Sequence, residues 1–135
     1  MHILMKTTMG DFLDRLTVLE LKMARCQKEE ARVEAKSVYE LMLLDLIQFR
    51  AQWSIQNDSF PEEEFQAGKR VLLEINGELW VLEDEIRALQ TNHPTEVSVI
   101  SYKNKRIIEK NAARSRAKRI LDGHFGQVGE VKDYL

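Results

Sequence analysis

The stretch EEEFQAGKRVLLEINGELWVLEDEIRALQTN, residues 62–92, decides the fold. Phe65, Leu72, Ile75, Leu79, Leu82, Ile86 and Leu89 recur along it at steps of three, four and seven. That repeat places all of them on one side of an α-helix. Ser59, Pro61 and Glu62 form a strong helix start. A helix running from there to about Asn92 is roughly 48 Å long at 1.5 Å per residue. An apolar stripe of that length needs other helices to cover it.

Downstream, His93-Pro94-Thr95 breaks the pattern, and Thr95 is the expected cap of a fourth helix between Glu96 and Asp122. Asp122-Gly123 is its expected end. Its seam, from Ile100, reads Asn104, Ile107, Asn111, Arg114, Lys118 and Leu121. Amides and cations stand where a bundle helix carries aliphatic side chains. A charge buried there needs a partner.

Upstream, residues 1–8 are expected to be extended, and Thr8 to cap helix one, with Asp11 in a capping-box-like position. Helix one carries Phe12, Leu16, Leu19, Met23 and Cys26 on one strip, and Leu13, Leu21 and Ala24 with Thr17 on a second. So wide an apolar face predicts contact with two neighbours. The periodicity lapses in CQKEEARVEA, which predicts a bend or short loop near residues 27–33. Helix two then runs to about Ile55, using Val38, Leu41, Leu44 or Asp45, Gln48 and Trp53 less regularly. Asn57-Asp58-Ser59 is turn chemistry. The expected fold class is all-α: an antiparallel bundle of about four helices with long third and fourth helices, in one domain spanning 1–135. A glycine-rich C-terminal tail, 123–135, is mobile or docks through Phe125 and Tyr134.

Composition sets limits. The chain has 135 residues, 44% hydrophobic and 31% charged, which suits one ordinary core. Its formal net charge of −2 argues against whole-protein attraction to nucleic acid or membrane. The charge is divided unevenly: Glu96 to Asp122 holds eight Lys or Arg against three acids, about +5, and Asn57 to Asn92 holds nine acids against three bases, about −6. Cys26 is the only cysteine, so no intrachain disulfide or thiolate cluster can form, and its place on an apolar strip predicts a small buried hydrophobe. The start lacks the apolar core of a signal peptide, and no run is long enough to span a bilayer. A cytoplasmic protein with no membrane contact is expected. The scattered His2, His93 and His124 do not suggest a metal centre, and the acid runs 62–64 and 83–85 read as solvated faces. No cofactor motif is present.

The polar groups that could carry chemistry are therefore on the helices. Helix four supplies Asn111, Arg114 and Lys118; helix three supplies Asn76, Glu83 and Arg87 on one flank, with Trp80 nearby; helix one supplies Asp14, Thr17 and Glu20. Arg is suited to bidentate recognition of carboxylate or phosphate, and Lys adds a point charge.

Three segments, GDFLDRLTVLELK (10–22), NGELWVLEDEIR (76–87) and NAARSRAKRIL (111–121), followed by the tail EVKDYL, together resemble a family of small bacterial proteins catalogued as a domain of unknown function. They cover most of the chain apart from helix two and keep the family's order. The third matches at Asn111, Arg114, Lys118 and Ile120-Leu121, and departs at Ala112 and Ala113. The resemblance implies a helical fold and no established activity. It also implies, through the surface-polysaccharide genes among which members sometimes lie, glycan-related or sugar-nucleotide work. Its motifs contain Asp14, Thr17, Trp80, Glu83, Arg87, Asn111, Arg114 and Lys118.

Three functional readings follow. In the first, a polar pocket between helices one, three and four binds a small anionic ligand, phosphorylated or carboxylated. Arg114 and Lys118 receive it, Asn111 and Asn76 orient it, and Glu83 holds a cation when the pocket is empty. In the second, the chain is a protein–protein interaction module or a homodimerising scaffold along the long helix three and the helix that carries Trp53, with Trp53 and Trp80 exposed on the monomer. The polar cluster is then an internal salt-bridge network between helix-three acids and helix-four bases. In the third, it is an enzyme resembling the helical chorismate mutases, with Glu83 or Asp14 in acid–base roles. Nucleic acid is a poor partner, because Tyr102 is the only aromatic on the basic helix.

Overall fold

The computed structural model describes residues 7–57 and 59–127. The expectations for residues 1–6, for Asp58, and for Tyr134 and the EVKDYL tail lie outside the described residues. Four helices follow one another: α1 (Met9–Arg25), α2 (Glu29–Gln56), α3 (Glu62–Asn92) and α4 (Val97–His124). The fold is an all-α four-helix bundle, with no strand among the described residues.

The short α1 is its centre. Met9, Phe12, Leu13, Leu16, Leu19 and Leu21 are buried on it, together with Gly10, Asp14 and Thr17. Each of its large side chains contributes about 1.5–3 kcal/mol by leaving water. Both strips read from the sequence are buried over most of their length, and they meet three neighbours rather than two: α1 packs on α2, α3 and α4, and α3 also packs along α4. The end of α1 lies beside the middle of α3, where Arg25 Nη1 donates to the Gly77 carbonyl at 3.3 Å. Beyond that point α3 and α4 continue together, joined by Lys110–Glu78 at 2.8 Å and Lys103–Glu85 at 3.1 Å.

Several local expectations need correction. The loop between α1 and α2 is only residues 26–28, because the charged EEARVEA segment, a sequence of good helix formers, needs no apolar face to be helical. Cys26 closes α1 and is half-buried, not a core residue. On α2 the buried residues are Ala35, Met42 and Leu46, with Val38, Tyr39, Phe49 and Trp53 packed beside them. Leu41, Leu44 and Gln48 are exposed, so the true seam is rotated from the expected one. Pro61 holds the position before α3, and Ser59 instead accepts the Trp53 indole N–H through its carbonyl at 3.4 Å. Glu96, not Thr95, precedes α4, with no side-chain cap.

The end of α4 also lies further on than Asp122-Gly123. The helix runs to His124, where the Gly126 N–H donates to the Gly123 carbonyl at 3.2 Å and the Gln127 N–H to the Asp122 carbonyl at 2.8 Å. Gly126 takes φ +64, the left-handed conformation this helix ending requires. Phe125 then docks in an aromatic cluster with Phe49, Trp53 and Phe60. Arg50 covers this cluster, 4.3 Å from the Phe60 ring centre, and pairs with Glu62.

Helices α1 and α4 meet closely at Gly10. A β-carbon there would lie 2.8 Å from Asp122 Oδ1 and 2.8 Å from the Lys118 Cα, closer than atoms in contact allow. Gly10→Ala should force the helices apart and destabilise the fold by about 2 kcal/mol, the cost of overpacking. A urea-unfolding midpoint equal to wild type would show that the crossing can relax.

Candidate functional site

Four polar side chains from three helices form one buried cluster. Asp14 and Thr17 lie one turn apart on α1 and project to the same side. From α3, the Asn76 amide donates to Asp14 Oδ1 at 2.9 Å and to Thr17 Oγ1 at 3.0 Å. Thr17 donates in turn to the Asp14 carbonyl at 2.8 Å. From α4, Arg114 clamps the Asp14 carboxylate with two bonds, Nε to Oδ1 at 2.7 Å and Nη2 to Oδ2 at 2.6 Å. Thr17 is fully buried and Asn76 and Asp14 nearly so. Asp14 raises the proton affinity of Arg114 above its ordinary value through these bonds, against the opposing effect of burial. Among the described residues, no buried side-chain nitrogen or oxygen lacks a partner.

The acid on Arg114 is thus Asp14 of α1, not Glu83 of α3, which is exposed and acts on Arg114 only through its charge. Lys118 is likewise taken by α1, pairing with Asp11 at 2.7 Å. The expected pairing of helix-three acids with helix-four bases holds further along, at Lys110 and Lys103. Arg87 is not part of the site: it is exposed and pairs with Asp84 on its own helix. Asn104 is exposed as well.

One face of the cluster opens into a cleft of about 280 Å³. Its wall is Val18 and Leu21 of α1, Leu79, Trp80 and Glu83 of α3, and Asn111 of α4, with Asn76 and Arg114 at its base. Trp80 is half-buried, and Glu83 and Asn111 reach solvent. Trp53, by contrast, is half-buried in the distant aromatic cluster and takes no part. Of the nine expected site residues, seven are therefore together; Lys118 sits one turn beyond on Asp11, and Arg87 is elsewhere.

Sequence reading missed two polar groups with structural work. Asp122 Oδ1 accepts the Gly10 N–H at 2.7 Å, and Gln127 Oε1 accepts the Met9 N–H at 2.7 Å. With Thr8 Oγ1 accepting from Asp11 N at 3.3 Å, as expected, these satisfy N–H groups that the start of a helix leaves unpaired. Asp122 lies four residues after Lys118, on the stripe already marked by Asn111 and Arg114, and that spacing was the available signal. Glu20 was a candidate without a role. It joins three helices, accepting from the Tyr39 hydroxyl at 2.8 Å and pairing with Lys69 at 3.1 Å. Burial, then the bond to Glu20, pushes Tyr39 up to about 12.

The described residues hold no group of three or more His, Cys, Asp or Glu placed to bind a metal ion, and no helix long and apolar enough to cross a membrane. Among known proteins, no family model, no curated protein and no solved structure matches the chain.

Two predictions follow from the cluster's bonding. Asp14→Ala strands both the Arg114 guanidinium and the Asn76 amide and should cost about 3 kcal/mol, the range for breaking a buried pair from one side. Adding Arg114→Ala should cost much less than its effect alone, a coupling of about 1–3 kcal/mol in a double-mutant cycle. Additive costs would show that the pair does not hold the helices together. The second concerns Asp122, whose pKa burial raises against the opposing Gly10 bond. A raised folded-state pKa gives stability below the unfolded value that is lost as pH rises through the folded one. The advantage of wild type over Asp122→Asn should be largest below the ordinary carboxylate range and shrink as pH rises through and above it. Urea midpoints across that interval measure it; a constant difference would mean that the carboxyl is not perturbed.

Proposed function

We propose that this chain is a binding protein whose cleft between α1, α3 and α4 takes a small hydroxylated molecule of about monosaccharide size. The observation that carries this reading is the residue set over the cluster. Asp14, Thr17, Asn76 and Arg114 satisfy one another and brace the helices. That bracing gives no reason for Trp80, Glu83 and Asn111, which line the open side.

The charge of the cleft selects the ligand class. The lining carries one acid, Glu83, and one base, Arg114, whose charge the buried Asp14 beneath it already balances, so the cleft offers no uncompensated cation. Lys118 does not alter this, being neutralised by Asp11 away from the cleft. An anionic ligand, the sequence-based expectation, would meet a guanidinium whose Nε–Nη2 edge is already taken by the Asp14 carboxylate. Hydroxyl groups suit the lining better. Glu83 accepts, the free edge of Arg114 donates, and the Asn111 amide does both. Trp80 adds an aromatic surface for the apolar face of a ring. At 280 Å³ the space is just under the roughly 300 Å³ of the smallest drug-sized pockets, which suits a single sugar ring. Glycan-related work, implied by the family resemblance, is compatible with this chemistry. A chorismate-mutase-like reaction needs cations free for a dianion, and both Arg114 and Lys118 are engaged.

The second reading is a scaffold or interaction module in which the cluster is only internal bracing. Its support is the complete pairing of the cluster's buried groups.

Saturation-transfer NMR with neutral monosaccharides, sugar phosphates and dicarboxylates separates these. Neutral sugars should bind, and Trp80→Ala and Asn111→Ala should each weaken binding about tenfold or more while keeping the wild-type melting temperature. Binding confined to the charged compounds would restore the anionic reading. No binding at millimolar concentration, or binding that both variants retain, would leave the scaffold.

A further inference from the structure

Among the described residues α2 packs along α1 and meets α3 and Phe125 only near its end, through Phe49, Arg50 and Trp53, and no described residue packs on its opposite face. That face is apolar: Val33, Leu41, Leu44, Ile47 and Ile55 are all more than half exposed, from 58% at Leu44 to 84% at Ile55. With the small exposed residues Ser37 and Ala51 they form one stripe. At 3.6 residues per turn all seven lie within about 60° of the Leu44 direction, over a length of roughly 33 Å. The same arc also carries the exposed Glu40 and Gln48 between the apolar residues, and an exposed apolar row of this length marks an interaction site.

The order of residues along the stripe identifies the occupant. Counted from Leu44, the stripe falls at −11, −7, −3, 0, +3, +7 and +11, symmetric about its centre. Size is symmetric too: large, small, large, large, large, small, large. We infer that this face pairs with the same face of a second copy, antiparallel about a two-fold axis at Leu44. A two-fold interface requires such a self-complementary surface. Leu44 then meets Leu44 of the second copy, Leu41 meets its Ile47, Ser37 meets its Ala51, and Val33 meets its Ile55. Large side chains fill the layers either side of a close approach at the small ones, as in helix-pair packing.

Charge gives the direction independently. The polar residues at or beside the stripe are charged in the first half of α2 and uncharged in the second. Antiparallel pairing puts Glu40 opposite Gln48, Glu34 opposite Ser54 and Lys36 opposite Gln52 of the second copy. Parallel pairing would instead set Glu40, Glu34 and Lys36 each beside its own image, three like-charge contacts. This dimer uses α2 alone, through a face that excludes Trp53, and leaves the cleft of α1, α3 and α4 uninvolved. Its test is therefore independent of the ligand.

Sedimentation equilibrium of the full chain, together with cysteine cross-linking, tests the arrangement. Wild type should dimerise, and Leu44→Glu should weaken dimerisation by roughly a hundredfold by pressing two like charges together on the axis. Leu44 is exposed, so the circular dichroism and melting of the monomer should be preserved. In a Cys26→Ala background, Leu44→Cys should form a disulfide with itself on oxidation. Ser37→Cys mixed with Ala51→Cys should cross-link, and Ser37→Cys alone should not. A wild-type chain that remains monomeric overturns the inference, whether the stripe stays bare or is covered by the chain's own residues 1–6. So does a dimer indifferent to Leu44→Glu, or one in which Ser37→Cys links to itself.

Discussion

The bidentate pair between Asp14 and Arg114 is the contact on which the position of α4 depends. Among the described residues of that helix only Leu121 and Asp122 are fully buried, with Ile107 and Ala117 half-buried, so α4 has little apolar area with which to hold its place. Directional bonds take over that task. Arg114 and Lys118 attach it to α1, and Lys110 and Lys103 attach it to α3. Because these bonds have defined partners, they fix the register of α4 as well as its proximity, which a featureless apolar stripe does less sharply. Burial of Asp14 is tolerable because Asn76 and Arg114 donate to its carboxylate oxygens, and among the described residues no buried polar side-chain atom is left unpaired.

The same economy explains the shape of the molecule. Helix α1 is the shortest of the four and the most buried, and the other three are arranged around it. One consequence is the cleft, formed where the brace ends and the side chains of Trp80, Glu83 and Asn111 do not close over it. Another is the bare side of α2, which has α1 on one face and nothing described on the other.

Helix content and the α3 seam were legible in the sequence because both depend on local repeat: Phe65, Leu72, Ile75, Leu79 and Ile86 are all buried as their spacing requires. The candidate site was legible in part. Interrupting an apolar stripe with Asn111, Arg114 and Lys118 signals a compensating partner, since unpaired charge is costly in a core. The identity of that partner was not legible. Nine acids on residues 57–92 pointed to α3, and charge counting cannot distinguish an exposed Glu83 from a buried Asp14. On α2 the same ambiguity appeared as a rotated seam. Leu41 and Leu44 are as apolar as Met42 and Leu46, and hydrophobicity alone does not say which of two such stripes faces inward.

The sequence by itself determined four helices, the polar interruption of the fourth helix's stripe at Asn111, Arg114 and Lys118, and the capping of the first by Thr8, because each follows from chemistry within a few residues. Tertiary structure alone decided that Asp14 clamps Arg114, that Asp122 and Gln127 complete the start of α1, and that Arg87 stays outside. Those contacts join residues about a hundred positions apart, or depend on which face of a helix another covers. Periodicity places a side chain on a helix; only the crossing of helices tells it what it will meet.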